Sequence, residues 1–263
     1  MCRSCDDGGR RCSDHTALKK VDLEALRPGA MSAEIPEVEW GTVPTAAELY
    51  DKYDADVAAA TIEALQRVSA HEPAITEAVF AAVPEGCRTD GLAFRMKSPA
   101  SLARKIAKKA ELRPDLSAHD VSMRLTDFVR YTVVADKPDR LASCATETMD
   151  QLRAKGWIEI EAEHMYVDGN PYKGLHVIAR HEASGQDVEI QFHTEQEIAI
   201  KNKFHEQYEI ERNNDVPRSE RAEAHEVMVV AWQDVEEPPG VVDLPIGDVV
   251  VVAKVYPNRY KRG

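Results

Sequence analysis

Between Trp157 and Thr194 three β-rich runs follow one another with little chain between them. WIEIEAE, YKGLHVIAR and QDVEIQFH are dense in β-branched and aromatic residues, and EASGQ supplies the turn between the last two. Upstream, GLAFRMK and DFVRYTVVA read as two more strands. The segments around them have helical composition. PASLARKIAKKAEL carries Pro99 in its first turn, and PDRLASCATETMDQLRAKG is stopped by Gly156. TAAELYDKYDADVAAATIEALQRVSA and ITEAVFAAV precede the strands, while TEQEIAIKNKFHEQYEIER and SERAEAHEVMVVAWQDV follow them. Such alternation predicts an α+β (α/β) domain over 45–235, with a mixed central sheet of four to five strands flanked by helices. Residues 1–44 read as a cysteine-rich appendage and linker, and 236–263 as a tail containing DVVVVAKVY, a late strand or a segment that packs elsewhere.

With 263 residues and 43% hydrophobic content, the chain is long enough to bury a sizeable core. Its formal net charge of -13 argues against a general binder of nucleic acid or anionic membrane. No apolar run has the length of a membrane span, no signal peptide is visible, and five cysteines give no extracellular disulfide framework. These features lead us to expect a cytoplasmic setting.

The positive charge is concentrated. Seven basic residues, Arg95, Lys97, Arg104, Lys105, Lys108, Lys109 and Arg113, lie against one acid, Glu111. A charge run is ordinarily a solvated helix face, but the spacing here is more specific. On a strand, Arg95 and Lys97 share a face. On the helix, Ser101, Arg104, Lys105 and Lys108 form one stripe. A strand and the next helix feeding cations to one place would clamp a polyphosphate, as a triphosphate site needs.

Two acids stand in apolar strands. Asp127 opens one, and Glu189 lies in VEIQFH, where alternation puts Glu189, Gln191 and His193 on one face. Acids there are costly unless paired or metal-bound. Asp127 and Glu189 would suit Mg²⁺, which takes one or two carboxylates plus substrate phosphates. The alternative is two exposed positions of a half-solvated sheet. In NPYKGLHV, Tyr172, Gly174 and His176 alternate onto one side, and the glycine leaves room for a flat ring to stack on the tyrosine.

In order, RMKSPASLARK, LTDFVRYTVV, GNPYKGLHV and VEIQFHT resemble the RelA/SpoT synthetase domain over roughly 90–210. Arg95, Lys97, Ser101 and Lys105 match its first block; Asp127 matches its strand aspartate. Tyr172 and His176 match its acceptor loop, and Glu189, Gln191 and Thr194 its E-x-Q-x-x-T. The resemblance implies a nucleotidyltransferase-like synthetase fold and a Mg²⁺-dependent transfer of pyrophosphate from ATP to the 3′-hydroxyl of GDP or GTP, giving a (p)ppGpp-type alarmone. It implies ATP along Arg95, Lys97, Ser101, Arg104 and Lys105, with Arg95 stacking on adenine. Lys97, Asp127, Glu189 and Gln191 would serve catalysis. Tyr172 would stack the acceptor base, with Asn170, Lys173, His176 and Gln191 reading it.

The chain departs from the family at Arg130 and Thr132, and at His193, which replaces an arginine. Lys201, His205, Tyr208 and Arg212 line one face of the following helix. These departures resemble phage and toxin-type members, whose acceptors include adenosine nucleotides and tRNA 3′ ends, and they imply a possible antitoxin or regulator; a homo-oligomer is also open. A non-catalytic phage-type interaction module is the rival from another class, opposed by the intact Arg95, Lys97, Asp127 and Glu189. His119-Asp120 reads as a chance dipeptide, not a hydrolase metal motif. Cys2, Cys5, Cys12 and His15 have the count and pairing of a structural Zn²⁺ site.

Overall fold

The computed structural model describes residues 15–213 and 215–260. They fall into two compact units. The smaller comprises the described residues to Arg27, Trp40–Arg67 and Ser98–Met123; the larger comprises Pro28–Glu39, Val68–Lys97 and the chain from Arg124.

The smaller unit is helical. It holds α1 (His15–Leu18), α2 (Ala46–Lys52) and the part of α3 (Ala55–Ala82) up to Arg67. It also holds α4 (Pro99–Leu112) and α5 (Ala118–Met123). Thr45 and Glu48 form a reciprocal capping box at the start of α2. The long helical run expected from Thr45 breaks at Tyr53, whose backbone is extended. The boundary expected near Pro73 is absent, because the helix runs on through that proline. On α4, Ser98 is the N-cap and Pro99 occupies the first turn; Leu102, Ala103 and Ile106 are buried while Arg104, Lys108 and Lys109 are exposed. His119 and Asp120 lie exposed on α5. His119 faces Glu63 at 3.5 Å, and Asp120 accepts from Ser117.

The larger unit is built on a six-stranded mixed sheet among the described residues. β1 (Cys87–Asp90) pairs antiparallel with β2 (Val129–Ala135). Beyond α6 (Leu141–Arg153) come β3 (Trp157–His164), β4 (Leu175–His181) and β5 (Gln186–Thr194), an antiparallel meander whose last strand returns to lie parallel to β2. Next come α7 (Glu195–Lys203), α8 (His205–Arg212) and α9 (Arg218–Trp232). A two-residue hairpin, β6 (Pro245–Ile246) with β7 (Val249–Val250), precedes β8 (Val252–Ala253), which joins the edge of β3. The fold class is the expected α+β; the main sheet exceeds the expected four to five strands because it takes up the short edge strands β1 and β8.

The core follows from periodicity. Val188, Ile190 and Phe192 of β5 are fully buried on one face. α6 presents Leu141, Cys144, Ala145, Met149 and Leu152 at three- and four-residue spacing and packs against β2, β3 and β5.

The strand expected in GLAFRMK does not form. Gly91 adopts a left-handed φ of 63°, a 3₁₀ turn follows over Leu92–Phe94, and only Met96 bridges to Val129. The sheet takes CRTD instead. Arg95 and Lys97 therefore do not share a strand face. The helix expected from Thr194 to Arg212 breaks at Phe204, so Lys201 lies on α7 while His205, Tyr208 and Arg212 lie on α8.

Candidate active site

Strand β5 supplies the polar centre of the sheet. Register sets Arg130 of β2 opposite Glu189 and Thr132 opposite Gln191. From the other side, His176 of β4 lies opposite Gln191. Gln191 donates its amide to Glu189, and Lys201 donates to Gln191 Oε1 at 3.2 Å. His176 Nδ1 faces Glu189 Oε1 at 3.8 Å. Burial, reinforced by Arg130, pulls the Lys201 ammonium down to about 8. The result is a carboxylate set among cations and neutral donors at the middle of a sheet, where charge is expensive to place without purpose.

Behind it runs a second set of contacts. Tyr172 Oη lies 2.9 Å from His176 Nε2 and 2.6 Å from His193 Nε2. His193 Nδ1 lies 2.9 Å from Glu197 Oε2, which also accepts the Thr194 backbone N–H at 3.0 Å. Tyr166 donates its hydroxyl to Glu197 Oε1 at 2.9 Å. Burial drives both histidines well below the usual imidazole range and the Tyr172 phenol well above its own. Burial also pushes the Glu197 carboxyl up to about 7, against the pull of its hydrogen bonds.

Several expectations need correction. Gly174 was expected to leave room for a ligand ring. The space is filled: a Cβ there would lie 2.5 Å from His193 Cε1. Tyr172 is half-buried, and its ring packs against Trp232 at 5.3 Å. Asn170, 1% exposed, is a structural clamp: its amide donates to Met165 O and Lys254 O, and its Oδ1 accepts from the Tyr256 N–H. Lys173 is buried and donates to Val235 O at 2.7 Å. The polar groups of both are engaged by the chain's own backbone.

Arg95 is likewise interior, at 1% exposure. Its Nε lies 2.5 Å from Glu72 Oε1, and its Nη1 donates to Pro36 O and Leu92 O. Glu72 also accepts from Thr76, whose hydroxyl meets Tyr131 at 2.6 Å. Arg95 thus fastens Pro36 and the Leu92 turn to α3 rather than presenting a plane to adenine.

Lys97 and Asp127 form an ion pair at 3.4 Å, both partly exposed. Ser101, Arg104 and Lys105 belong to α4 of the smaller unit. His205, Tyr208 and Arg212 are exposed on α8, where Arg212 lies over the Tyr208 ring and pairs with Glu209. Cys2, Cys5 and Cys12 lie outside the described residues, while His15 Nδ1 contacts the Tyr50 hydroxyl at 3.0 Å.

Among the described residues no group of three or more His, Cys, Asp or Glu is arranged to hold a metal. The oxygen donors available are fewer and hard: Asp127, 19% exposed at its side chain beside Lys97, and Glu189, 14% exposed. One or two partly open carboxylates are the protein share that Mg²⁺ takes when phosphates supply other ligands.

The Glu197 network was missed from sequence, although T-x-x-E at Thr194–Glu197 is a readable capping box. Tyr166 and Trp232 carried no local signal.

Several solved structures are similar to this one at low identity. Small alarmone synthetase 1 from Bacillus subtilis matches at 18% identity, covering 64% of this chain and 86% of that one, with a TM-score of 0.39. A GTP pyrophosphokinase family protein from Streptococcus pneumoniae matches at 17%, covering 70% and 88%, with a TM-score of 0.37. The complex between the Type VI effector Tas1 and its immunity protein matches at 16%, covering 73% and 97%, with a TM-score of 0.38. Comparison with protein-family models gives no match. Comparison with curated proteins gives none either. Among the described residues no helix is long and apolar enough to cross a membrane.

Proposed function

We propose that the chain is an ATP-dependent pyrophosphokinase that moves the β,γ-pyrophosphate of ATP to the 3′-hydroxyl of a nucleotide, with AMP leaving. The observation that carries this reading is Glu189. It is a carboxylate at the middle of the motif strand, bonded to Gln191, faced by His176 and set opposite Arg130. Glu189 would take the proton of the attacking hydroxyl. Arg130, Lys201 and Lys97 would meet phosphate charge in the transition state. A bound Mg²⁺, held through Asp127 or Glu189, would supply further charge neutralisation to the phosphates. The expectation that Ser101, Arg104 and Lys105 bind ATP stands on the sequence blocks.

GDP or GTP is the first acceptor to test. Asn170 and Lys173 are buried, so His176 and Gln191 are the remaining groups proposed to read the base, and adenosine nucleotides are the second acceptor to test. Tyr172, half-buried, remains the ring proposed to stack the base. The resemblance to toxin-type members keeps tRNA 3′ ends and an antitoxin partner within the proposal. The decisive experiment is incubation with γ-labelled ATP and, separately, GDP, GTP, ADP, ATP alone and tRNA. Label in a 3′-pyrophosphorylated product is expected, and its absence with every acceptor would reject the reading.

A further inference from the structure

Four groups of the larger unit stand in one hydrogen-bonded file, and a fifth, Glu189, faces its end. Glu197 meets His193 at 2.9 Å, His193 meets Tyr172 at 2.6 Å, and Tyr172 meets His176 at 2.9 Å; His176 then faces Glu189 at 3.8 Å. Catalytic pairs commonly close such a final gap when substrate binds. A phenol has a single proton to donate. Placed between two neutral imidazole nitrogens, Tyr172 donates to one and accepts from the other, so the file has one direction at a time. Glu197 sets that direction. As a carboxylate it accepts His193 Nδ1–H; His193 Nε2 then accepts from Tyr172, Tyr172 accepts His176 Nε2–H, and His176 Nδ1 is left as a bare acceptor facing Glu189. As a carboxylic acid Glu197 donates instead, and every bond in the file reverses.

We propose that Glu197, His193, Tyr172 and His176 form a proton relay that draws the acceptor hydroxyl's proton from Glu189 into the interior. The inference rests on the pyrophosphokinase reading of Glu189. As the 3′-oxygen bonds to the β-phosphorus, the bridging Pα–O–Pβ bond breaks and its electron pair leaves with AMP. Glu189 takes the hydroxyl proton and passes it to His176 Nδ1. His176 Nε2–H moves to Tyr172, the Tyr172 proton to His193 Nε2, and His193 Nδ1–H to Glu197. Each intermediate member ends neutral as it began, and one proton resides on Glu197. The reverse passage after product release restores the start. A carboxyl held near neutrality by burial suits this duty better than an ordinary surface glutamate, which stays ionised. The groups facing the file are Lys201 of α7, Arg130 of β2, Asp90 of β1, Lys173, Tyr166, Glu237, and Lys254 and Tyr256 of the C-terminal segment.

Two variants and two readouts test it in the full chain. Glu197→Gln keeps hydrogen-bonding capacity but cannot store the proton; Tyr172→Phe keeps the ring but removes the link. Each is expected to lower kcat about 10²-fold with KM for ATP within about threefold, and the double variant should be no worse than either single one. In wild type, kcat should fall as pH drops through about 7, and Glu197→Gln should lose that limb. Unchanged kcat and pH profile in both variants would overturn the relay. The second readout needs no substrate. Nitrogen NMR of His176 and His193 should show both rings exchanging tautomer near that pH in wild type and neither doing so in Glu197→Gln. Fixed tautomers in wild type would overturn the relay. Exchange seen without any pyrophosphate transfer would uphold the switchable file while rejecting the pyrophosphokinase reading and, with it, the catalytic use of the file.

Discussion

His193 occupies the place that a side chain at residue 174 would need, with its Cε1 2.5 Å from where a Cβ on Gly174 would stand. The glycine is there to admit a neighbouring imidazole. Gly174→Ala is therefore expected to push His193 off Tyr172 and Glu197. Overpacking of this kind costs about 1–3 kcal/mol. A urea midpoint lowered accordingly, together with loss of transfer, is the expected result.

Glu189→Gln preserves shape but cannot accept the hydroxyl proton. Transfer is expected to fall about 10²-fold or more, with thermal unfolding unchanged. Labelled product in single-turnover assays measures the first, and calorimetry the second. Full activity in the variant would remove Glu189 from the chemistry.

Arg95 and Glu72 test scaffold against substrate contact. Arg95→Met leaves a buried carboxylate without its cation, and the loss should be about 3–5 kcal/mol. Glu72 Oε2 already has no hydrogen-bond partner among the described residues. The double change to Met at both positions should recover much of that stability and leave the KM for ATP within about threefold. A large rise in KM in a well-folded double variant would return Arg95 to the nucleotide.

Stability should depend on pH through the same network, with opposing signs. His176 and His193 have folded values well below 6.5, so the unfolded chain takes up their protons first as pH falls. Their contribution is complete above about 6.5 and is lost below it. Glu197 is raised from 4.5 to about 7, so it favours the folded state in acid and loses that advantage as pH rises through the interval. Stability should rise from pH 5 to 7, and Glu197→Gln should steepen the rise. Urea titrations across that interval measure both slopes.

The strands of the meander, the Pro99 helix and the polar face of β5 were legible because alternation and caps are local signals. GLAFRMK failed because Gly91 selects a left-handed turn that β propensity does not register. The inward placement of Arg95, Asn170 and Lys173 was illegible for a different reason. A polar residue in a motif is equally suited to a ligand or to the chain's own carbonyls, and Pro36, Lys254 and Val235, which claim them, are distant in sequence. His193 was placed on the right face, but its partner Glu197 was hidden behind an ordinary capping pattern.

The clamp at Asn170 has a consequence for how the protein is made. The residue grips Lys254 and Tyr256, and the two ends of the latter bond are 86 positions apart. During synthesis the loop carrying Tyr172 emerges long before the segment that fastens it. Until Lys254 and Tyr256 have been added, the loop lacks those bonds and the edge of β3 lacks β8. The growing chain thus carries the Tyr172 loop without these bonds until residues 254–256 have been made.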